Sequence, residues 1–123
     1  MDGKGTISTE TGVLNDAPYG FKSRFENGPG TNPEELIAAA HAGCFAMKLS
    51  FVLQEGGFTP TELAVTCSIN FENGAITESH LELKGTVPGI TKEKFEAAAA
   101  DAKANCPISK VLNTNIKLTA TLA

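Results

Sequence analysis

The chain has no tryptophan, one tyrosine and only two histidines among its 123 residues. Its three cysteines, Cys44, Cys67 and Cys106, are odd in number, far apart and without a Cys-x-x-Cys. Neither a zinc ribbon nor a disulfide-stapled secreted scaffold is indicated, so thiols in a reducing compartment are expected. Basic residues form no run, and Lys, Arg, Asp and Glu are interspersed around a net charge of -4. That excludes an obvious nucleic-acid surface. A P-loop, a dinucleotide fingerprint and an HExxH zinc motif are all absent. MDGKGTIST lacks the apolar core that secretion requires, which makes the cytoplasm the expected compartment. It also leaves little room for a strand before Thr6, so the N-terminal sheet edge is expected to be supplied from elsewhere.

What is present suffices for one core of ordinary size: 41% of the residues are apolar, and a single domain over residues 1–123 is expected. It is organised around GTNPEELIAAAHAGCFAMKLSFVLQE, residues 30–55, which reads as one long helix. Asn32 can cap it, Pro33 suits the first helical position, and Glu34 and Glu35 favour the positive end. Gly56 and Gly57 allow the left-handed exit. Apolar residues run nearly all round it, interrupted by His41, Lys48 and Ser50, as in the central helix of a soluble fold. A membrane span is the weaker reading, because the stretch is mostly alanine, carries His41 and Lys48, and is bounded by acids.

Ahead of this helix, residues 5–14 alternate weakly, as a bent strand or strand pair would. NDAPYG, residues 15–20, reads as a turn, residues 21–25 as a short extended piece bringing Arg24 toward the core, and ENGPG, residues 26–30, as another turn. Beyond it, residues 62–71 place Leu63, Val65, Cys67, Ile69 and Phe71 on one face of a strand. Asn73-Gly74 is a strong hairpin signal, so residues 76–87 should return antiparallel with Leu81, Leu83 and Val87 inward. Thr91 caps a second helix over residues 92–104 anchored by Phe95, and Pro107 can open a short third helix with Cys106 at its N-cap. Ile116, Leu118, Ala120 and Leu122 close at strand spacing. The fold class is α+β, an antiparallel sheet with a long central helix and a second helix.

Each cysteine has a bland and a chemical reading. Cys67 lies in the apolar stripe of a strand and reads as packing. Cys44 is either core or chemistry. His41, one turn before it on the same face, needs a polar partner. A papain-like pairing of the two lacks an acidic orienter, and a zinc site lacks a second ligand pair. Cys106 is either a simple cap or a thiolate favoured by the helix start.

At YGFKSRFENGPGTNPEELIAAAHAGCF, followed later by NCPISKVL, the chain resembles the OsmC/Ohr family of osmotically inducible protein C and organic hydroperoxide resistance proteins, and the OsmC branch most. The resemblance runs from about Gly5 to the C-terminus. It implies an intertwined homodimer with a site at each end of the subunit interface, acting as a thiol-dependent peroxidase on organic hydroperoxides. By motif, the peroxidatic cysteine in HAGCF falls on Cys44 and the resolving cysteine in NCPIS on Cys106. The catalytic arginine falls on Arg24 and the glutamate of GTNPEE on Glu34. No cofactor or metal is implied, only an external dithiol such as lipoyl groups on proteins, with dithiothreitol as a laboratory substitute. Family members usually carry a further strand before GKGTIST, which this chain lacks. The alternative is a non-catalytic binding or structural role on the same fold.

Peroxide attack needs a thiolate, yet a cysteine among alanines has its pKa raised, so a cation is required beside Cys44. A guanidinium stays charged when desolvated and can be oriented by a carboxylate, which suits Arg24 with Glu34. Glu34 and Cys44 stand about 15 Å apart along a helix axis at about 1.5 Å per residue. Either Arg24 spans much of that gap or the glutamate comes from a second chain. Two such helices crossing antiparallel near Ala39, with Ala38 and Ala40 permitting close approach, would place each Glu34 beside the other chain's Cys44. Phe45, Met47 and Phe51 could favour alkyl hydroperoxides and could equally be core.

Overall fold

The structure, a computed structural model, describes residues 3–25 and 30–123. It falls into two compact units, Met1–Ile37 and Ala38–Ala123.

In the first unit, β1 (Lys4–Ile7) pairs antiparallel with β2 (Ala17–Gly20), and Lys4 lies opposite Gly20. Asp16, at φ 52°, makes the bend into β2, and its N–H is held by Ser8 Oγ at 2.9 Å. NDAPYG was therefore misread as a turn throughout: only its first residues turn, and Ala17–Gly20 is strand. A two-strand ribbon has free edges, where proline is tolerated because no ladder N–H is required of it.

A second correction follows directly. Phe21–Phe25 is the helix α1, whereas an extended piece was expected. The Gly20 N–H donates to Ser23 Oγ at 2.9 Å, which is half of a capping box and gives the short turn a defined start. The expected turn over residues 26–30 lies outside the described residues except for Gly30. That glycine has a φ of 103°, and a Cβ there would sit on the Pro18 carbonyl oxygen.

The long helix α2 (Pro33–Glu55) starts as its sequence indicates, with Asn32 Oδ1 accepting from the Glu35 N–H at 2.8 Å. It ends at Gly57, which has a φ of 88°. By length and composition alone it would also span a bilayer. Within the second unit, however, its residues at a spacing of one turn, His41, Phe45, Leu49 and Leu53, are buried. The last three share a single apolar cluster with the strands and helices that follow.

β3 (Glu62–Glu72) and β4 (Ala75–Thr86) form the expected hairpin. Asn73 and Gly74 take φ values of 51° and 78°, the left-handed pair that a two-residue hairpin with the native twist demands. Helix α3 (Lys92–Asn105) is capped by Thr91 Oγ1, which accepts from the Lys94 N–H at 3.2 Å, and α4 (Pro107–Val111) begins at the expected proline.

β5 (Asn115–Leu122) then pairs with β4 in parallel, from Glu78 opposite Asn115 to Gly85 opposite Leu122. The sheet, ordered β3-β4-β5, is thus mixed where an antiparallel one was expected. The intervening α3 and α4 form a crossover that returns the chain in the same direction as β4, the connection a parallel pair requires. Leu81, Leu83 and Val87 meet Phe95, Ala99 and Ala102 together with the α2 stripe. Gly85 permits this closeness, since a Cβ there would lie 2.6 Å from the Phe95 ring.

Candidate functional site

Cys44 lies half-buried on α2, and Cys106 is fully buried where α3 ends and α4 begins. Pro107 stops α3 and opens α4, so the cysteine occupies the bend as C-cap of one helix and N-cap of the next. The two free thiols face each other.

Their ionisation is pulled in opposite directions. Burial pushes the Cys44 thiol up, and the facing Cys106 sulfur adds to this, against a smaller lowering from the Ile108 amide. Burial opposes ionisation of Cys106 as well. The facing Cys44 side chain, and after it the Ser109 amide and hydroxyl and the Ile108 amide, outweigh burial and hold that thiol below its ordinary value.

Arg24 and Glu34 belong to the first unit and form an ion pair, with Nε to Oε1 at 2.7 Å. Its geometry comes from the segment between them. The Ser23 hydroxyl donates to the Thr31 carbonyl at 2.8 Å, Asn32 Nδ2 donates to the Ser23 carbonyl at 2.9 Å, and the Thr31 N–H reaches the Pro18 carbonyl at 2.9 Å. These bonds tie α1 to the first turn of α2. The Glu34 side chain is 12% exposed and that of Arg24 38%.

Of the four residues singled out by sequence, the structure therefore brings Cys44 to Cys106 and Arg24 to Glu34. Phe45 is core, whereas Met47 and Phe51 are exposed. Cys67 packs against the apolar cluster, and its sulfur lies 3.2 Å from Ser79 Oγ.

Sequence reasoning missed where His41 finds its partners. The ring is fully buried, with Nδ1 2.6 Å from Ser79 Oγ and Nε2 2.8 Å from Ser109 Oγ. Burial lowers its pKa and so favours the neutral ring. One signal was available: Ser79 shares the inward register of Leu81 and Leu83, so a hydroxyl was bound to enter the core.

A mixed sheet crossed by an apolar helix, with two thiols facing each other at a helix junction, defines a thiol-bearing α+β protein. The family whose description is OsmC-like protein matches residues 26–121. The Peroxiredoxin OsmC of Escherichia coli (strain K12) is 52% identical over 94% of this chain and 84% of its own length. The organic hydroperoxide resistance protein of Xanthomonas axonopodis pv. citri is 37% identical over 78% of this chain and 69% of its own. Among solved structures, an OsmC-like protein from Mycoplasma pneumoniae superposes with a TM-score of 0.74 over 100% of this chain and 97% of its own, at 11% identity, a likeness of fold alone. The chain belongs to the OsmC-like family.

Proposed function

We propose that the protein is a cysteine-based peroxidase that reduces organic hydroperoxides to alcohols. The observation that carries this reading is the facing pair Cys44 and Cys106, a half-buried thiol opposite a buried one whose surroundings favour the thiolate. The names of the curated relatives support it.

The Cys44 thiolate attacks one oxygen of the hydroperoxide, the O–O bond breaks, and the departing alkoxide takes a proton to leave as the alcohol. Cys44 is left as a sulfenic acid. The Cys106 thiolate then attacks that sulfur, forming a disulfide as hydroxide leaves and is protonated to water. An external dithiol, such as a protein-bound lipoyl group, restores both thiols by exchange. No other cofactor enters.

Arg24 is proposed as the cation that offsets the cost of ionising Cys44, with Glu34 holding its guanidinium. The working form is proposed as a homodimer of the whole chain. Ala39, Gly43, Met47 and Phe51 are exposed at a spacing of one turn, opposite in character to the buried stripe on the same helix, and Ala40 beside them is exposed too. A second copy crossing at these small residues would cover that stripe. The cytoplasm, where thiols stay reduced, suits the cycle.

The test follows consumption of an organic hydroperoxide under dithiothreitol, with mass spectrometry of the oxidised product. The wild type is expected to turn over and to form a Cys44–Cys106 bond. Cys44→Ser should lose about a thousandfold or more in rate, as when a nucleophile is removed. A Cys44→Ser protein that retains wild-type turnover would overturn the reading.

A further inference from the structure

His41 takes no part in the cycle above, yet its ring is fully buried and both of its nitrogens are engaged. Nδ1 lies 2.6 Å from Ser79 Oγ of β4, and Nε2 lies 2.8 Å from Ser109 Oγ of α4. A neutral imidazole donates at one nitrogen and accepts at the other, and a hydroxyl can answer either need. Both contacts are satisfied whichever nitrogen carries the proton. What the ring fixes is therefore position.

The spacing along the chain says what is positioned. Three residues separate His41 from Cys44 on α2, and three separate Cys106, at the N-cap of α4, from Ser109. His41 and Ser109 meet at 2.8 Å, so each cysteine stands about one helical turn from that contact, on the two segments that make it.

We propose that His41 is a positioning residue that locks α4 against α2 and the central strand β4, holding the Cys106 sulfur within bonding reach of Cys44. The proposal rests on the peroxidase reading, in which these two thiols form the disulfide.

α4 has little else to fix it. It is five residues long, well short of the about 12 at which an isolated helix begins to persist. Ser109 is its buried residue, whereas Pro107, Lys110 and Val111 are exposed. Ile108 packs partly against the apolar cluster, but apolar packing is non-directional and leaves a short turn free to rotate. The Lys110 N–H to the Cys106 carbonyl, at 3.2 Å, and the Leu112 N–H to the Ile108 carbonyl, at 3.1 Å, shape the turn without attaching it to another element. The ion pairs among the described residues, Arg24 with Glu34 and Lys92 with Glu96, lie elsewhere. A hydrogen bond weakens steeply as its angle departs from linear, so the Ser109 contact sets the rotation that packing leaves open.

The other contact is to the middle of the sheet. Ser79 is fully buried on β4, opposite Ile69 of β3 on one side and Ile116 of β5 on the other. The ring thus refers the place of α4 to a strand held by ladders on both edges. Cys67 of β3 borders the array on the sheet side, with its sulfur 3.2 Å from Ser79 Oγ and 4.0 Å from Nδ1.

The step served is demanding in geometry. The Cys106 thiolate attacks the sulfur of the Cys44 sulfenic acid, the S–S bond forms as the S–O bond breaks, and the leaving hydroxide is protonated to water. The Cys106 sulfur is oxidised and the Cys44 sulfur reduced. A disulfide accepts Cβ separations of only about 3.5–4.5 Å. A misplacement of about 1 Å can cost about a hundredfold where two groups must meet.

Two measurements on the full-length protein test the lock. In the first, one equivalent of an organic hydroperoxide is added to the reduced protein, dimedone trapping reads sulfenic acid, and mass spectrometry reads the disulfide with time. In the second, the Cys44–Cys106 bond is equilibrated with reduced and oxidised glutathione, which gives the effective concentration of one thiol at the other with no peroxide present. A cluster that merely stabilised the fold would favour the reduced and oxidised forms alike and leave that concentration unmoved. Ser109→Ala should slow disulfide formation about tenfold or more against the rate of Cys44 oxidation, and lower the effective concentration by a similar factor. Cys67→Ala, which alters the same cluster but spares both contacts of the ring, should match wild type in each. His41→Gln, whose amide extends to the place of Nε2, should retain more of the effective concentration than His41→Asn, which stops short of Ser109.

Equal losses in Ser109→Ala and Cys67→Ala would overturn the lock. Hydrogen exchange of the reduced wild type needs no variant: the Lys110 and Leu112 amides should be protected about a hundredfold or more, and exchange at the rate of an unstructured chain would overturn the proposal. Wild-type protein that forms no Cys44–Cys106 bond with hydroperoxide would overturn the peroxidase reading. Wild-type protein that forms it, with Ser109→Ala matching it in rate and effective concentration, would overturn the role of His41 alone.

Discussion

Cys44 sits in the middle of a 23-residue helix, where the backbone amides around it are already engaged in the helical ladder. Cys106 sits between two helices, as C-cap of α3 and N-cap of α4, and its side chain makes no capping hydrogen bond to α4. The same side chain, buried on both sides of one contact, is raised in one place and lowered in the other. At Cys106 the facing Cys44 side chain does most to offset burial, ahead of the Ser109 and Ile108 amides. The lesson for the chemistry is that the two thiols ionise as a pair, Cys106 favoured at the expense of Cys44, so Cys44 needs a charge brought to it.

That contrast can be broken most severely by removing one member of the pair. Cys106→Ala should abolish the intramolecular disulfide and leave Cys44 to over-oxidise to sulfinic acid under excess hydroperoxide, as read by mass spectrometry. It should also lower the Cys44 pKa, because the sulfur whose hydrogen bond and charge push it upward is gone. The pH dependence of iodoacetamide labelling at Cys44 would show this as a midpoint displaced downward.

A smaller effect is expected at the proposed cation. Arg24→Met should slow alkylation of Cys44 at neutral pH about tenfold, the size of a lost hydrogen bond to a charged group, and shift its pH midpoint upward. Labelling of Cys106 should keep its own midpoint, and equal shifts at both thiols would erase the distinction drawn above.

The smallest effect concerns the far end of α3, the helix that delivers Cys106. Thr91→Ala removes the side chain that accepts from the Lys94 N–H and should cost about 1 kcal/mol in denaturant unfolding. Both labelling midpoints should stay in place. A moved midpoint would mean that the asymmetry depends on the whole helix and not on its last turn.

Much of the frame was legible because it is encoded locally. Asn32 and Pro33 start α2, Thr91 starts α3, Pro107 divides α3 from α4, and Asn73-Gly74 closes the β3–β4 hairpin, each through chemistry confined to a few residues. Phe21–Phe25 and Ala17–Gly20 were misread because their conformations depend in part on bonds beyond the local segment: Thr31 for the Ser23 hydroxyl, besides its local bond with Gly20, and β1 for β2. The parallel pairing of β5 with β4 depends on the path of the crossover, which alternation along one strand does not report.

The candidate site divides in the same way. Motif resemblance drew attention to Cys44, Cys106, Arg24 and Glu34, and the structure brings them together as two pairs. The serines flanking His41 come from a strand and a helix far along the chain, and nothing near His41 in sequence announces them.

By itself, the sequence determined the three later helices, their starts, the hairpin and the placing of a cysteine at a helix junction, because caps, turns and periodicity act within a few residues. Only the tertiary structure decided which thiol faces which, which hydroxyls close on the buried ring and which way each sulfur's ionisation is displaced. Those outcomes depend on burial and on hydrogen bonds between segments that meet only when the sheet and helices pack.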